Sequence, residues 1–116
     1  MNFLSESEKE VIVVKPPKDE GGLWTCSING KEYGFRKWTW GEKNKVISIS
    51  MRITPDGTST FDPALFNVNM LLATLKKAPF QVNKEILESS DNKLIDRLLR
   101  ITTKLNLLEP IEIQNL

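Results

Sequence analysis

The residues able to do chemistry are few in this 116-residue chain, and their spacing is unhelpful to catalysis. There is no histidine, which removes the usual acid–base group near neutral pH and the commonest metal ligand. Serine nucleophiles then have only lysine as a base. Ser90-x-x-Lys93 matches that arrangement by letter, but it straddles a helix start among polar neighbours and reads as a cap. Cys26, the single cysteine, falls in the middle of a β-prone run and reads as a small buried hydrophobe. Gly21-Gly22 lacks the strand–loop–helix setting and lysine of a phosphate loop. Asp19, Glu20 and Asp56 lack the spacing of a calcium loop. The expectation is a non-enzyme with no cofactor and no metal.

One stretch could recognise a ligand. Lys31-Glu32-Tyr33-Gly34-Phe35-Arg36-Lys37-Trp38-Thr39-Trp40 interleaves cations with aromatics. A single-stranded nucleic acid could stack on such a face, using Lys31, Tyr33, Phe35, Arg36, Lys37 and Trp40. The competing reading is a hairpin whose aromatic face is core and whose charged face is wet. Overall charge favours the second: 16 Lys+Arg against 15 Asp+Glu leaves +1, so there is no general electrostatic pull on nucleic acid or on an anionic membrane.

The elements that must position these residues divide into a β-flavoured first half and a helical second half. Residues 1–22 read as a flexible tail followed by a Pro/Gly hinge (Lys15-Pro16-Pro17-Lys18-Asp19-Glu20-Gly21-Gly22), with Val11–Val14 a short edge strand or a segment that orders on a partner. Residues 23–108 read as a single globular domain, and 109–116 as a tail in which Ile111 and Ile113 alternate. Asn29-Gly30 between two β-prone runs is a two-residue hairpin turn, because both of its positions need positive φ. Trp24, Cys26 and Ile28 then share one face, as do Tyr33 and Phe35, and Gly34 allows a bulge.

Thr39-Trp40-Gly41-Glu42 fits a capping box and predicts a helix from Trp40 to about Met51. Ile47, Ile49, Met51 and Ile53 also alternate as a strand would, leaving helix or strand open for 46–53. Thr54-Pro55-Asp56-Gly57-Thr58 is a turn. Asp62-Pro63 starts a second helix carrying Leu65, Val68, Leu72 and Leu75 as its stripe, running to the Pro79 stop with Lys76 and Lys77 at its negative end. Asn83 caps a short helix through about Glu88. Asp91 or Asn92 opens the last helix, which turns Leu94, Ile95, Leu98, Leu99, Ile101 and Leu105 inward and stops at Asn106 in a left-handed conformation. The fold class is α+β: an N-terminal β-hairpin packed on a three- to four-helix C-terminal bundle.

Taken together, Trp40-Gly41-Glu42-Lys43-Asn44-Lys45-Val46, Asp62-Pro63 with its Leu-rich helix, Leu75-Lys76-Lys77-Ala78-Pro79-Phe80-Gln81-Val82 and Asp96-Arg97-Leu98-Leu99 through Leu105-Asn106 resemble the motifs of the small tail assembly chaperones of long-tailed bacteriophages and prophages. The resemblance spans roughly residues 33–108, and the Ile-Ser-Ile-Ser alternation departs from it. It implies a non-enzymatic factor that binds the tape-measure protein, helps recruit tail-tube subunits (the major tail protein), works in the host cell cytoplasm and is absent from the mature virion, often with a longer frameshifted form. It carries over no catalytic residue.

Physical reasoning places partner contact where elements begin or end: Trp38, Trp40, Phe80, Leu107 and Leu108, with homo-oligomerisation a further outcome. No apolar run approaches the ~20 residues needed to cross a bilayer, and the small net charge disfavours nucleic acid. With no export signal visible, a reducing cytoplasm is the simplest compartment.

Overall fold

A computed structural model describes residues 2–4, 11–19 and 21–106. The fold is α+β: four helices and small antiparallel sheets among these residues. The hairpin is β3 (Trp24–Ile28) and β4 (Lys31–Phe35), with Trp24 opposite Phe35 and Ile28 opposite Lys31. Its turn places Asn29 at φ 53° and Gly30 at φ 76°, the left-handed pair that a two-residue turn demands. Cys26, Ile28, Tyr33 and Phe35 are buried.

The N-terminal segment departs from expectation. β1 (Asn2–Leu4) pairs antiparallel with β2 (Val11–Val13). Lys15 and Thr25 then exchange backbone hydrogen bonds of 2.8 and 3.0 Å, which lays this pair against β3. Ile12 and Val14 enter the main core. Residues expected to lie outside the domain thus supply part of its interior, because β-branched side chains beside a sheet edge bury apolar surface that a free tail would leave wet.

α1 (Trp40–Ile49) begins at the capping box. The helix stops at Ser50, and the alternating residues that follow become β5 (Met51–Ile53), paired with β6 (Ser59–Phe61). The helical and the strand readings of 46–53 therefore each hold for part of the segment. Asp56 closes the intervening turn, accepting from the Thr58 backbone N–H at 3.1 Å and the Thr58 hydroxyl at 2.8 Å.

α2 (Pro63–Thr74) starts at Asp62, whose carboxylate accepts from the N–H groups of Ala64 and Leu65. It ends five residues before Pro79. Leu75–Lys77 form β7, a third strand on β4, so Lys76 and Lys77 lie on a strand rather than at a helix end. Tertiary pairing overrides the helical stripe here: Leu75 sits opposite Phe35 in the core, and the Arg36 N–H donates to the Thr74 carbonyl at 2.8 Å. Gly34 makes this pairing possible. A Cβ there would meet Lys77 Cβ at 2.9 Å and Leu23 Cδ1 at 2.8 Å, and the β4–β7 register shifts at the same place.

α3 (Lys84–Ser89) is capped by Asn83, and the Asp91 carboxylate accepts from the Leu94 N–H at the start of α4 (Asn92–Asn106). Asn29 is the one non-glycine residue with positive φ among those described, so Asn106 is not the left-handed stop expected of it.

The main core gathers Ile12, Val14, the hairpin face, Leu71, Leu75, Leu87, Leu98, Ile101 and Leu105. No residue between 36 and 70 belongs to it. α1 packs instead on α2, with Val46 and Ser50 buried; the Asp62 N–H donates to the Ser50 carbonyl at 2.8 Å.

Candidate partner-binding surface

The arm formed by α1, β5 and β6 carries most of the exposed apolar side chains: Trp40 is 81% exposed and Ile53 82%, with Ile49, Met51 and Phe61 also on the surface. Their positions follow from the local rules that build the arm. Thr39 caps α1, accepting from the Glu42 N–H at 3.2 Å while the Thr39 N–H donates to Glu42 Oε1 at 2.9 Å. That leaves Trp40 at the first helical position, beyond the reach of the core. Ile49 follows nine residues later, which at 3.6 residues per turn points it to the opposite side of α1. In the β5–β6 pair Met51 faces Phe61 directly, so by alternation Met51, Ile53 and Phe61 share one face.

That face continues into a row of rings. Phe61 lies 5.3 Å from Phe66 and Phe66 lies 6.3 Å from Trp38, centroid to centroid. Trp38 is half-buried and held at both of its N–H groups: its backbone N–H donates to Asn106 Oδ1 at 2.8 Å and its indole N–H to the Asn106 carbonyl at 3.0 Å. Of the two tryptophans flanking the hairpin-to-helix junction, Trp40 is the exposed one. Phe80 is half-buried against the core, edge-on to Tyr33 at 6.2 Å. Leu107 and Leu108 lie outside the described residues. Trp38 and Phe80 thus sit half-buried in separate ring contacts while Trp40 stands exposed, and the hairpin face of Met51, Ile53 and Phe61 is an addition to the expected set. Its signal was present in the alternation ending at Ile53 and in the Pro55-Asp56-Gly57 turn.

The basic–aromatic set is dispersed, which corrects the stacking-platform alternative. Tyr33 and Phe35 are 2% and 0% exposed and point into the core, so no base can stack on them. The Arg36 guanidinium is engaged by both carboxylate oxygens of Glu42. Lys37 lies over the Trp24 ring at 4.9 Å. Lys31 and Trp40 are exposed, and they stand on different elements. The Arg36 pairing, aided by the Thr39 N–H, holds the Glu42 carboxyl down at about 2.

The candidate nucleophiles are occupied. The Ser90 hydroxyl donates to the Ile86 carbonyl at the end of α3. Burial pushes the Cys26 thiol up to about 11, so it stays protonated and unreactive near neutral pH. A cleft of about 530 Å³ beside β3 is lined in part by Lys15, Lys18, Ser27 and Glu32, and Glu32 accepts from Lys77 Nζ at 2.9 Å. Among the described residues no group of three His, Cys, Asp or Glu could hold a metal ion, and no helix is long and apolar enough to cross a membrane. No protein-family model, curated protein or solved structure matches this chain.

Proposed function

We propose that this protein is a non-enzymatic assembly chaperone of the long-tailed phage type, which binds the tape-measure protein and helps recruit tail-tube subunits in the host cytoplasm. In this reading the β3–β4 hairpin packed on the helical bundle is the scaffold, and the α1–β5–β6 arm is the part that meets the partner. The observation that carries it is the arm's exposed apolar surface, with Trp40 at 81% and Ile53 at 82%. Large exposed apolar side chains grouped on one arm are the surface that an apolar helical partner would cover.

Co-expression with a tape-measure protein, followed by purification at low and moderate salt, tests this. Apolar contact is not screened, so the complex should survive the rise in salt. Trp40→Ala combined with Ile53→Ser should leave the partner insoluble while the chain itself stays folded. A monomer that fails to solubilise the partner, or binding lost steeply with salt as nucleic-acid binding is, overturns the reading.

A further inference from the structure

The β5–β6 hairpin leaves a strand edge open. The Asp62 N–H donates to the Ser50 carbonyl and the Thr54 N–H to the Thr58 carbonyl, each at 2.8 Å. With Met51 opposite Phe61 and Ile53 opposite Ser59, residues 50, 52 and 54 aim their main-chain groups at the β6 side, and Met51 and Ile53 aim theirs the other way. Among the described residues nothing bonds to those two N–H and two C=O groups. On β6 the outward residues are Ser59 and Phe61, and Phe61 is already packed on Phe66. On β5, Ile53 is 82% exposed.

Natural sheets guard such an edge with lysine, proline or a bulge. β5 reads Met-Arg-Ile, pairs without a register shift, and has its one charge held by the Asp62 carboxylate. An unguarded edge whose outward residues are both apolar is a template for another strand. A helix cannot fill it, because its own N–H and C=O groups are bonded within its turns.

A second copy fits poorly. The symmetric antiparallel register that pairs Met51 and Ile53 of both copies sets Arg52 opposite its own counterpart, and like charges directly opposite are destabilising. The exposed parts of Met51, Ile53 and Phe61 amount to about 300 Å², taking roughly 200 Å² for a large side chain. Two copies would bury about 600 Å² of such surface, short of the roughly 1,000 Å² a specific interface needs.

We propose that β5 takes an extended segment of another protein as a third strand. The segment's main chain bonds Met51 and Ile53, and its alternate apolar side chains continue the Met51–Ile53–Phe61 face. This goes beyond the chaperone reading without resting on it, since the edge is open whatever the partner is; Trp40, on α1, is left to helical contact.

The probe is an acetylated, amidated heptapeptide with valine and threonine alternating between terminal glutamates, added to the full chain. With peptide in excess, the amide hydrogens of Met51 and Ile53 should exchange with solvent about five- to tenfold more slowly, the effect of one net hydrogen bond each. Two N-methylated peptides separate main-chain from side-chain contact. Methylating the amides that face β5 abolishes binding, and methylating the alternate set leaves it. Ile53→Pro, which removes an edge donor outside the ladder, should weaken binding beyond Ile53→Ser, which trims the side chain and keeps the donor. Unchanged exchange at Met51 and Ile53, equal binding by both methylated peptides, or equal losses in the two variants would each overturn the proposal. So would slowing that appears without peptide as the chain is concentrated, which makes a second copy the occupant. Because the chain meets only a synthetic strand, failure here leaves the tape-measure reading to its own co-purification, and failure there leaves the edge untouched.

Discussion

Glu42 serves two structures at once, and its substitutions should separate them. Its Oε1 accepts from the Thr39 N–H to complete the capping box, and both of its oxygens meet the Arg36 guanidinium. Glu42→Gln keeps an acceptor for the cap but discards the charge. Lowering the carboxyl from 4.5 to about 2 would represent about 3 kcal/mol at 1.36 kcal/mol per unit. Both side chains are 34% exposed, so solvent screening reduces the pair to about 1–1.5 kcal/mol. Glu42→Ala loses the cap contact as well, for a total of about 2–2.5 kcal/mol. Thr39→Ala costs about 1 kcal/mol, and its cost should shrink in the Glu42→Ala background because the two residues share one box.

Urea unfolding at several pH values measures all of these. The folded-state carboxyl titrates below its unfolded value, so the stabilisation is complete above pH 4.5 and is lost as pH falls towards 2. The gap between the parent chain and Glu42→Gln should therefore be constant from pH 5 to 7 and close below pH 4.5. Equal costs for Glu42→Gln and Glu42→Ala, or a gap that does not narrow in acid, would refute the division of labour.

Gly34→Ala should destabilise by about 1–3 kcal/mol, as in overpacked cores, because Lys77 Cβ belongs to a paired strand and cannot retreat; the shift in melting temperature measures it. Thr102→Val should cost about 1–2 kcal/mol in urea unfolding, since the Thr102 hydroxyl donates to Thr74 Oγ1 at 2.6 Å inside the core. Asn106→Ala removes the acceptor for the Trp38 N–H and the donor to Thr102; about 2 kcal/mol of lost stability and a change in tryptophan fluorescence should accompany it.

What could be read from the sequence was local. Thr39 and Glu42, Asp62-Pro63, Asn83, Asp91 and Asn29-Gly30 each act on backbone groups within four residues, and each stands where the structure uses it. What could not be read was decided at a distance. Leu75–Lys77 continue a helical stripe perfectly well alone; Phe35 and Gly34, some forty residues earlier, recruit them into the sheet. Trp38 and Trp40 are equivalent in sequence, and Asn106, 68 residues from Trp38, decides which one is fixed. The alternation ending at Ile53 announced β5, but both strands stay exposed, so nothing in the pattern told which face a partner strand would complete. Thr74 and Thr102, 28 residues apart, each supply half of a buried hydroxyl pair.

The absence of residues 37–69 from the main core bears on how the molecule opens. The sheet, α3 and α4 share one interior and must come apart together, whereas α1 and the β5–β6 hairpin stand outside it, packed on α2 and tied to Arg36 through Glu42. Such a chain has two tiers of cooperativity, with the arm as the weaker unit. Amide hydrogens of residues 43–61 should exchange through partial openings that leave Leu98 and Ile101 protected. A partner gripping the arm would then raise the protection of that tier first, and a destabilised core would expose both tiers at once. The arm can thus yield to a ligand without the scaffold unfolding.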